Sequence, residues 1–131
     1  MRKLSRNQLG DVGRRGEDAA AEYLAAQGYV IEERNAAFGK YEIDIIASDD
    51  RFVIFCEVKT TAAERDPEAR FGPPSSRVTA EKKRNLTAAA KSFLRTYGKR
   101  RLPRMDVIEV YFSEGIDEPR INHIKNAFSG R

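Results

Sequence analysis

The stretch from Tyr41 to Thr60 reads Y-E-I-D-I-I-A-S-D-D-R-F-V-I-F-C-E-V-K-T. Two runs rich in β-branched and aromatic residues flank Ser48-Asp49-Asp50-Arg51, which has the composition of a turn. The runs are therefore expected to form strands over Tyr41–Ala47 and Arg51–Thr60, and the short turn makes them an antiparallel hairpin. Side chains alternate across a strand. Glu57 and Lys59 thus share one face, with Val58 on the other, while Asp44 shares a face with Glu42 and Ile46. Closing the hairpin brings Asp44 beside Glu57, so two carboxylates and one ammonium meet in a mostly apolar setting.

Outward from the hairpin, residues 8–28 read as a first helix. Val12, Gly16, Ala20, Tyr23 and Leu24 keep the spacing of one buried face, and Gly28 is placed to cap its end. Tyr29-Val30-Ile31 begins a strand, so residues 29–60 form a three-stranded meander. Residues 61–77 hold Pro67, Gly72, Pro73, Pro74, Ser75 and Ser76 and read as a mobile loop. Thr79 caps a second helix over residues 79–97, with Glu81 in its first turn where the helix dipole favours an acid. Gly98 is expected to end it. Met105–Phe112 is a further strand, and Arg120–Phe128 adds a last edge strand, so residues 104–128 close the sheet. The order α-β-β-β-α-β implies a single α/β domain over residues 1–131, a mixed central sheet flanked by helices.

Two carboxylates held together repel, and burial sharpens the repulsion. A hard divalent cation relieves both, since Mg²⁺ takes oxygen ligands and keeps several waters. Lys59 beside them can orient or deprotonate an attacking water, or stabilise charge at a phosphoryl group. E-x-K alone is a common tripeptide that also suits an exposed pair; the spacing D-x(12)-E-x-K across a hairpin raises the functional reading. Glu17 lies on the apolar stripe of the first helix, where it serves either the site or a rim pair with Arg14. Lys82 lies in register with Leu86, Ala89, Phe93 and Tyr97, placed either to snorkel or to reach a phosphate near the sheet.

Composition narrows the classes. The chain has 131 residues, 40% hydrophobic and 34% charged, and a formal net charge of +4. No apolar run approaches the ~20 residues that span a bilayer. The N-terminal residues carry basic side chains with no apolar core, unlike a secretory signal. The one cysteine, Cys56, points away from Glu57 and reads as core, which fits a reducing cytoplasm. His123 is the single histidine and has no nucleophile near it in sequence, which argues against histidine-based catalysis. Basic residues gather at Arg14 and Arg15, at Lys82, Lys83 and Arg84, and at Lys99, Arg100 and Arg101. Each cluster alone could be a solvated surface; together they suit a phosphate-binding face. Asp106, two residues after Arg104, is expected to form a structural salt bridge or cap.

The segments G-R-R-G-E-D-A-A-A-E-Y-L-A-A-Q-G-Y, E-R-N, E-I-D-I-I-A, F-C-E-V-K, V-T-A-E-K-K, R-M-D-V and I-N-H-I-K-N-A-F occur in this order from Gly13 to Phe128. They resemble the YraN family of small bacterial proteins. That family in turn is similar to the PD-(D/E)xK nuclease superfamily, whose restriction-endonuclease-like αβββαβ core matches the order above. Archaeal Holliday-junction resolvases are among its similar members. The resemblance implies Glu17 as the acid of the first helix, Asp44, Glu57 and Lys59 as the motif residues, and Lys82 as a basic position on the second helix. It implies Mg²⁺ or Mn²⁺ bound by Asp44, Glu57 and the Val58 carbonyl. The partner implied is nucleic acid, DNA favoured over RNA, and the resolvases point to a homodimer. Tyr41 departs from the glycine usual in the family, crowding the site, and Thr61 stands where arginine is often found. The function expected is a metal-dependent endonuclease, with a non-catalytic binding module or adaptor as the alternative.

Overall fold

The computed structural model describes residues 6–62, 79–97, 101–113 and 118–127. Among them the order is α1 (Arg6–Ala26), β1 (Val30–Phe38), β2 (Tyr41–Ser48), β3 (Phe52–Ala62), α2 (Ala80–Tyr97), β4 (Leu102–Phe112) and β5 (Arg120–Ile124). The strands form one mixed sheet in sequential order β1-β2-β3-β4-β5. Only β3 and β4 run parallel; α2 belongs to the connection between them.

Helix α1 starts earlier and ends earlier than the apolar stripe suggests. Gly28 stops it at a φ of 97°, with the Tyr29 N–H bonded to the Leu24 carbonyl and the Gly28 N–H to the Ala25 carbonyl. That pairing is the Schellman arrangement, which favours glycine because a Cβ crowds a left-handed backbone. Thr79 caps α2 as expected: its Oγ1 accepts from the Lys82 N–H at 3.1 Å.

The two faces of the sheet bury separate cores. Ile46, Val53, Phe55, Met105 and Val107 pack under Leu86, Ala89 and Ala90 of α2. Ile45, Ala47, Ile54, Cys56, Ile108 and Val110 pack under Ala20 and Leu24 of α1. Gly16 brings α1 against β3; a Cβ there would overlap the Thr60 side chain, with Cγ2 at 2.7 Å and Cβ at 2.8 Å.

Strand boundaries differ from the sequence expectation as well. Thr61 and Ala62 extend β3, paired with Tyr111 and Phe112 of β4, instead of starting the loop. The rest of residues 61–77 lies outside the described residues, as does Gly98. Strand β4 begins at Leu102, because the Leu102 N–H bonds the Arg51 carbonyl at 2.8 Å. Strand β5 stops at Ile124; Asn126 then takes a φ of 53° and turns the chain.

Candidate metal and nucleic-acid site

The site forms where the sheet divides. The β2–β3 ladder runs from Ser48↔Val53 to Ile45↔Cys56 and goes no further. The β1–β2 ladder continues to Phe38↔Tyr41, and the β3–β4 ladder continues to Ala62↔Phe112. Asp44 and Glu57 are the first residues past the fork. The Val58 N–H has lost its ladder acceptor on β2 and donates instead to Asp44 Oδ2 at 2.8 Å. In a strand the N–H and C=O of one residue face the same neighbour. The Val58 carbonyl therefore faces the Asp44 side as well.

Glu57 is only 4% exposed. Lys59 places Nζ 3.3 Å from Glu57 Oε1, and Lys82 Nζ, from the first turn of α2, contacts the same oxygen. Helical and strand periodicity thus deliver two lysines to one carboxylate, as their sequence positions imply. Burial, then the charge of Glu57, push the Asp44 carboxyl up to about 7, against the lowering pull of the Val58 bond. Glu17, half-buried on α1, adds to that rise through its charge. Burial holds the Lys59 ammonium below its ordinary value, opposed by Glu57 and reinforced by Lys82. Lys82 goes the other way: burial lowers it, but its bond to Glu57 outweighs burial.

Tyr41 adds a group the sequence reading treated only as bulk. Its hydroxyl oxygen is buried and makes no hydrogen bond of ordinary geometry, its one hydrogen-bonding interaction being a poorly formed one with Glu57. It lies close enough to Glu57 and Asp44 that burial first, then their charges, hold the phenol protonated. Glu109 is a second residue the sequence reading missed. It is 2% exposed, in register with Lys59 on the adjacent strand, and accepts from the Asn122 side chain at 2.8 Å. Its signal was an acid flanked by apolar residues on both sides in the V-I-E-V-Y-F segment of β4.

The expected phosphate-binding residues divide between the two ends of the sheet. Arg14 and Arg15 are exposed on α1, and the Arg15 guanidinium sits 4.6 Å over the Phe112 ring at the C-terminal end of β4. Lys83 and Arg84 follow Lys82 on α2. These lie toward the carboxylate end. Arg101 precedes β4 and lies toward the opposite end, about 20 Å along the strand from Val107, which is level with Glu57. There it lines a notch of about 400 Å³ with Asp49, Asp50 and Arg51, remote from Glu57. Lys99 and Arg100 lie outside the described residues.

A second polar cluster occupies the α1 side. Asp106, 1% exposed, accepts two bonds from Arg104 at 2.9 Å, one from the Asn126 N–H at 3.0 Å, and lies 2.6 Å from His123 Nε2. His123 Nδ1 lies 3.0 Å from the Tyr23 hydroxyl, and Arg104 donates to the Tyr29 hydroxyl at 3.0 Å. Burial raises the Asp106 carboxyl, but the His123 and Arg104 bonds outweigh it and hold it below its ordinary value. The salt bridge expected for Asp106 is present. Cys56 is buried on this side with its thiol pushed well up by burial.

The fold and its forked sheet define an α/β protein compatible with a restriction-endonuclease-like core. The chain belongs to the UPF0102 family, the YraN family: the model described as "Uncharacterised protein family UPF0102" matches residues 16–110. A UPF0102 protein of Symbiobacterium thermophilum is 44% identical over 119 residues, covering 89% of this chain and 95% of its own length. One from Caldanaerobacter subterraneus subsp. tengcongensis is 36% identical over 130 residues, covering 98% of this chain and 100% of its own. Among the described residues no helix is long and apolar enough to cross a membrane.

Proposed function

We propose that the protein is a nucleic-acid-binding, divalent-metal-dependent nuclease that hydrolyses phosphodiester bonds, with DNA its first substrate. The observation that carries this is the pairing of half-buried Asp44 with buried Glu57 at the sheet fork, flanked by Lys59 and Lys82. Its donor set suits a hard cation: two carboxylates and the Val58 carbonyl, all oxygen. Among the described residues no three acids or other ligating side chains gather at one point. When bound, such a cation supplies Lewis acidity toward the phosphoryl oxygen and a lower pKa for its water.

The chain's own residues do the rest. Asp44 is fixed by the Val58 N–H, so its free oxygen has a set direction. Lys59 stands where negative charge grows on the phosphoryl oxygens, and its lowered pKa also brings it closer to accepting a proton from water. Lys82 adds a second positive charge, and Glu17 serves as an outer acid. Arg14, Arg15, Lys83 and Arg84 hold the backbone near the site, with Lys99, Arg100 and Arg101 as further phosphate contacts. The buried free Cys56 suits a cytoplasmic setting.

The test is a panel of branched, linear and single-stranded DNA and RNA incubated with Mg²⁺ or Mn²⁺. Wild type is expected to cut at least one substrate. Lys59→Ala should reduce cutting about a hundred- to thousandfold while leaving binding intact. Binding without cutting across the whole panel would replace this reading with a non-catalytic module. Cutting that survives both Lys59→Ala and Glu57→Ala would place the activity outside this site.

A further inference from the structure

The Tyr41 hydroxyl is a buried polar atom that makes no hydrogen bond of ordinary geometry, although it interacts with the Glu57 carboxylate, and it lies beside two carboxylates and two ammoniums. A buried hydroxyl left unbonded is unfavourable and is rare in native proteins. Tyr41 is also the first residue of β2, on the arm that the β1–β2 ladder carries past the fork. The ring packs against the α2-side core, which fixes where its hydroxyl points. Its position opposite β3 makes it one wall of the gap that opens between the two halves of the sheet.

We propose that Tyr41 is a substrate-contacting residue, its O–H donating to a non-bridging phosphoryl oxygen of nucleic acid drawn to the Asp44–Glu57 site. The inference rests on the reading of that site given above. The chemistry of the surroundings selects the partner. Lys59 and Lys82 have hydrogens to give, and a water on a cation has its lone pair committed and also presents hydrogens. The carboxylates are the local acceptors; Glu57 Oε1 is taken by the two lysines and Asp44 Oδ2 by the Val58 N–H, and the second oxygen of each is what the cation would claim. A phosphoryl oxygen brings acceptor capacity and no hydrogens, so it matches the three donors Tyr41, Lys59 and Lys82 together. The neutral phenol donates without adding charge, which spares the site a third ammonium.

Tyr41→Phe keeps the ring and removes the donor. Three measurements on the full chain test the assignment. The thermal midpoint without metal should stay level or rise, since an unbonded buried hydroxyl is gone. Mn²⁺ affinity in calorimetry should stay within twofold. Affinity for a DNA oligonucleotide with Ca²⁺ present, to hold the complex without turnover, should fall about tenfold, as for one hydrogen bond to a charged acceptor. Equal oligonucleotide affinity in wild type and variant would overturn the proposal, as would a midpoint several degrees lower, which would give the hydroxyl a structural partner. Loss of Mn²⁺ affinity in the variant would move its contact to the cation's water. If wild type shows no Mn²⁺ binding that depends on Asp44, the metal reading fails and this proposal falls with it.

Discussion

Asp44, half-buried, and Asp106, fully buried, are two aspartates on one sheet, and their surroundings push them in opposite directions. Asp106 accepts from Arg104, His123 and the Asn126 N–H, and its carboxyl is held below the ordinary range. Asp44 accepts from the Val58 N–H, faces a second acid, and is raised to about 7. Burial is common to both; the difference is whether the sheet around the acid supplies donors. On the α1 side it does, and the carboxylate ties Tyr23, Tyr29, β4 and β5 together. On the α2 side the ladder stops, and the acids are left with a need that lysines only partly meet. The first arrangement serves stability. The second keeps binding capacity open for a ligand.

Removing each aspartate should separate the two roles. Asp106→Asn leaves Arg104 and His123 facing a neutral amide, and should lower stability by about 3 kcal/mol in a denaturant titration. Metal and nucleic-acid binding should change little once the protein is folded. A loss under ~0.5 kcal/mol would show that the network is not the clamp described.

Asp44→Asn should have a smaller and opposite effect. The folded chain holds a proton on Asp44 that the unfolded chain releases near pH 4, so this residue makes stability fall as pH rises from about 4 to about 7. Asparagine can still accept from the Val58 N–H, and it removes the repulsion with Glu57. The variant is expected to be about 1 kcal/mol more stable than wild type at pH 8 and level with it near pH 4. Asp106 has the reverse sense: its contribution is complete above the ordinary carboxylate range and is lost as pH falls through its depressed folded value. Acid unfolding should therefore report Asp106, and weakening between about pH 4 and pH 7 should report Asp44. A wild-type stability that rises from pH 5 to pH 8 would erase the distinction.

Much of this arrangement was legible in the chain, through local rules. Alternation in E-I-D-I-I-A and F-C-E-V-K, joined by a short turn, places Asp44 opposite Glu57. The stripe from Lys82 through Leu86 and Ala89 points Lys82 at the same sheet face. Arg104 and Asp106, two apart in a strand, share a face and pair. What escaped was non-local or masked by composition. His123 meets Tyr23 across 100 positions of sequence, and no local pattern announces that contact. Strand β1 begins where Tyr29-Val30-Ile31 led one to expect, but its extent to Phe38 was not marked, because only Ala36 along it is fully buried and its charged residues show no apolar alternation. Tyr41 looked like an obstruction because sequence shows a bulky ring but not where its hydroxyl ends.

The central claim is that the Asp44–Glu57 pair is a metal site. Calorimetric titration of Mn²⁺ into wild type and Asp44→Ala, at pH 6 and pH 8, tests it without requiring any substrate. Wild type should bind one ion, about tenfold more weakly at pH 6, because the Asp44 proton must leave first. Asp44→Ala should show no such binding at either pH. Equal binding by the two proteins would contradict the account.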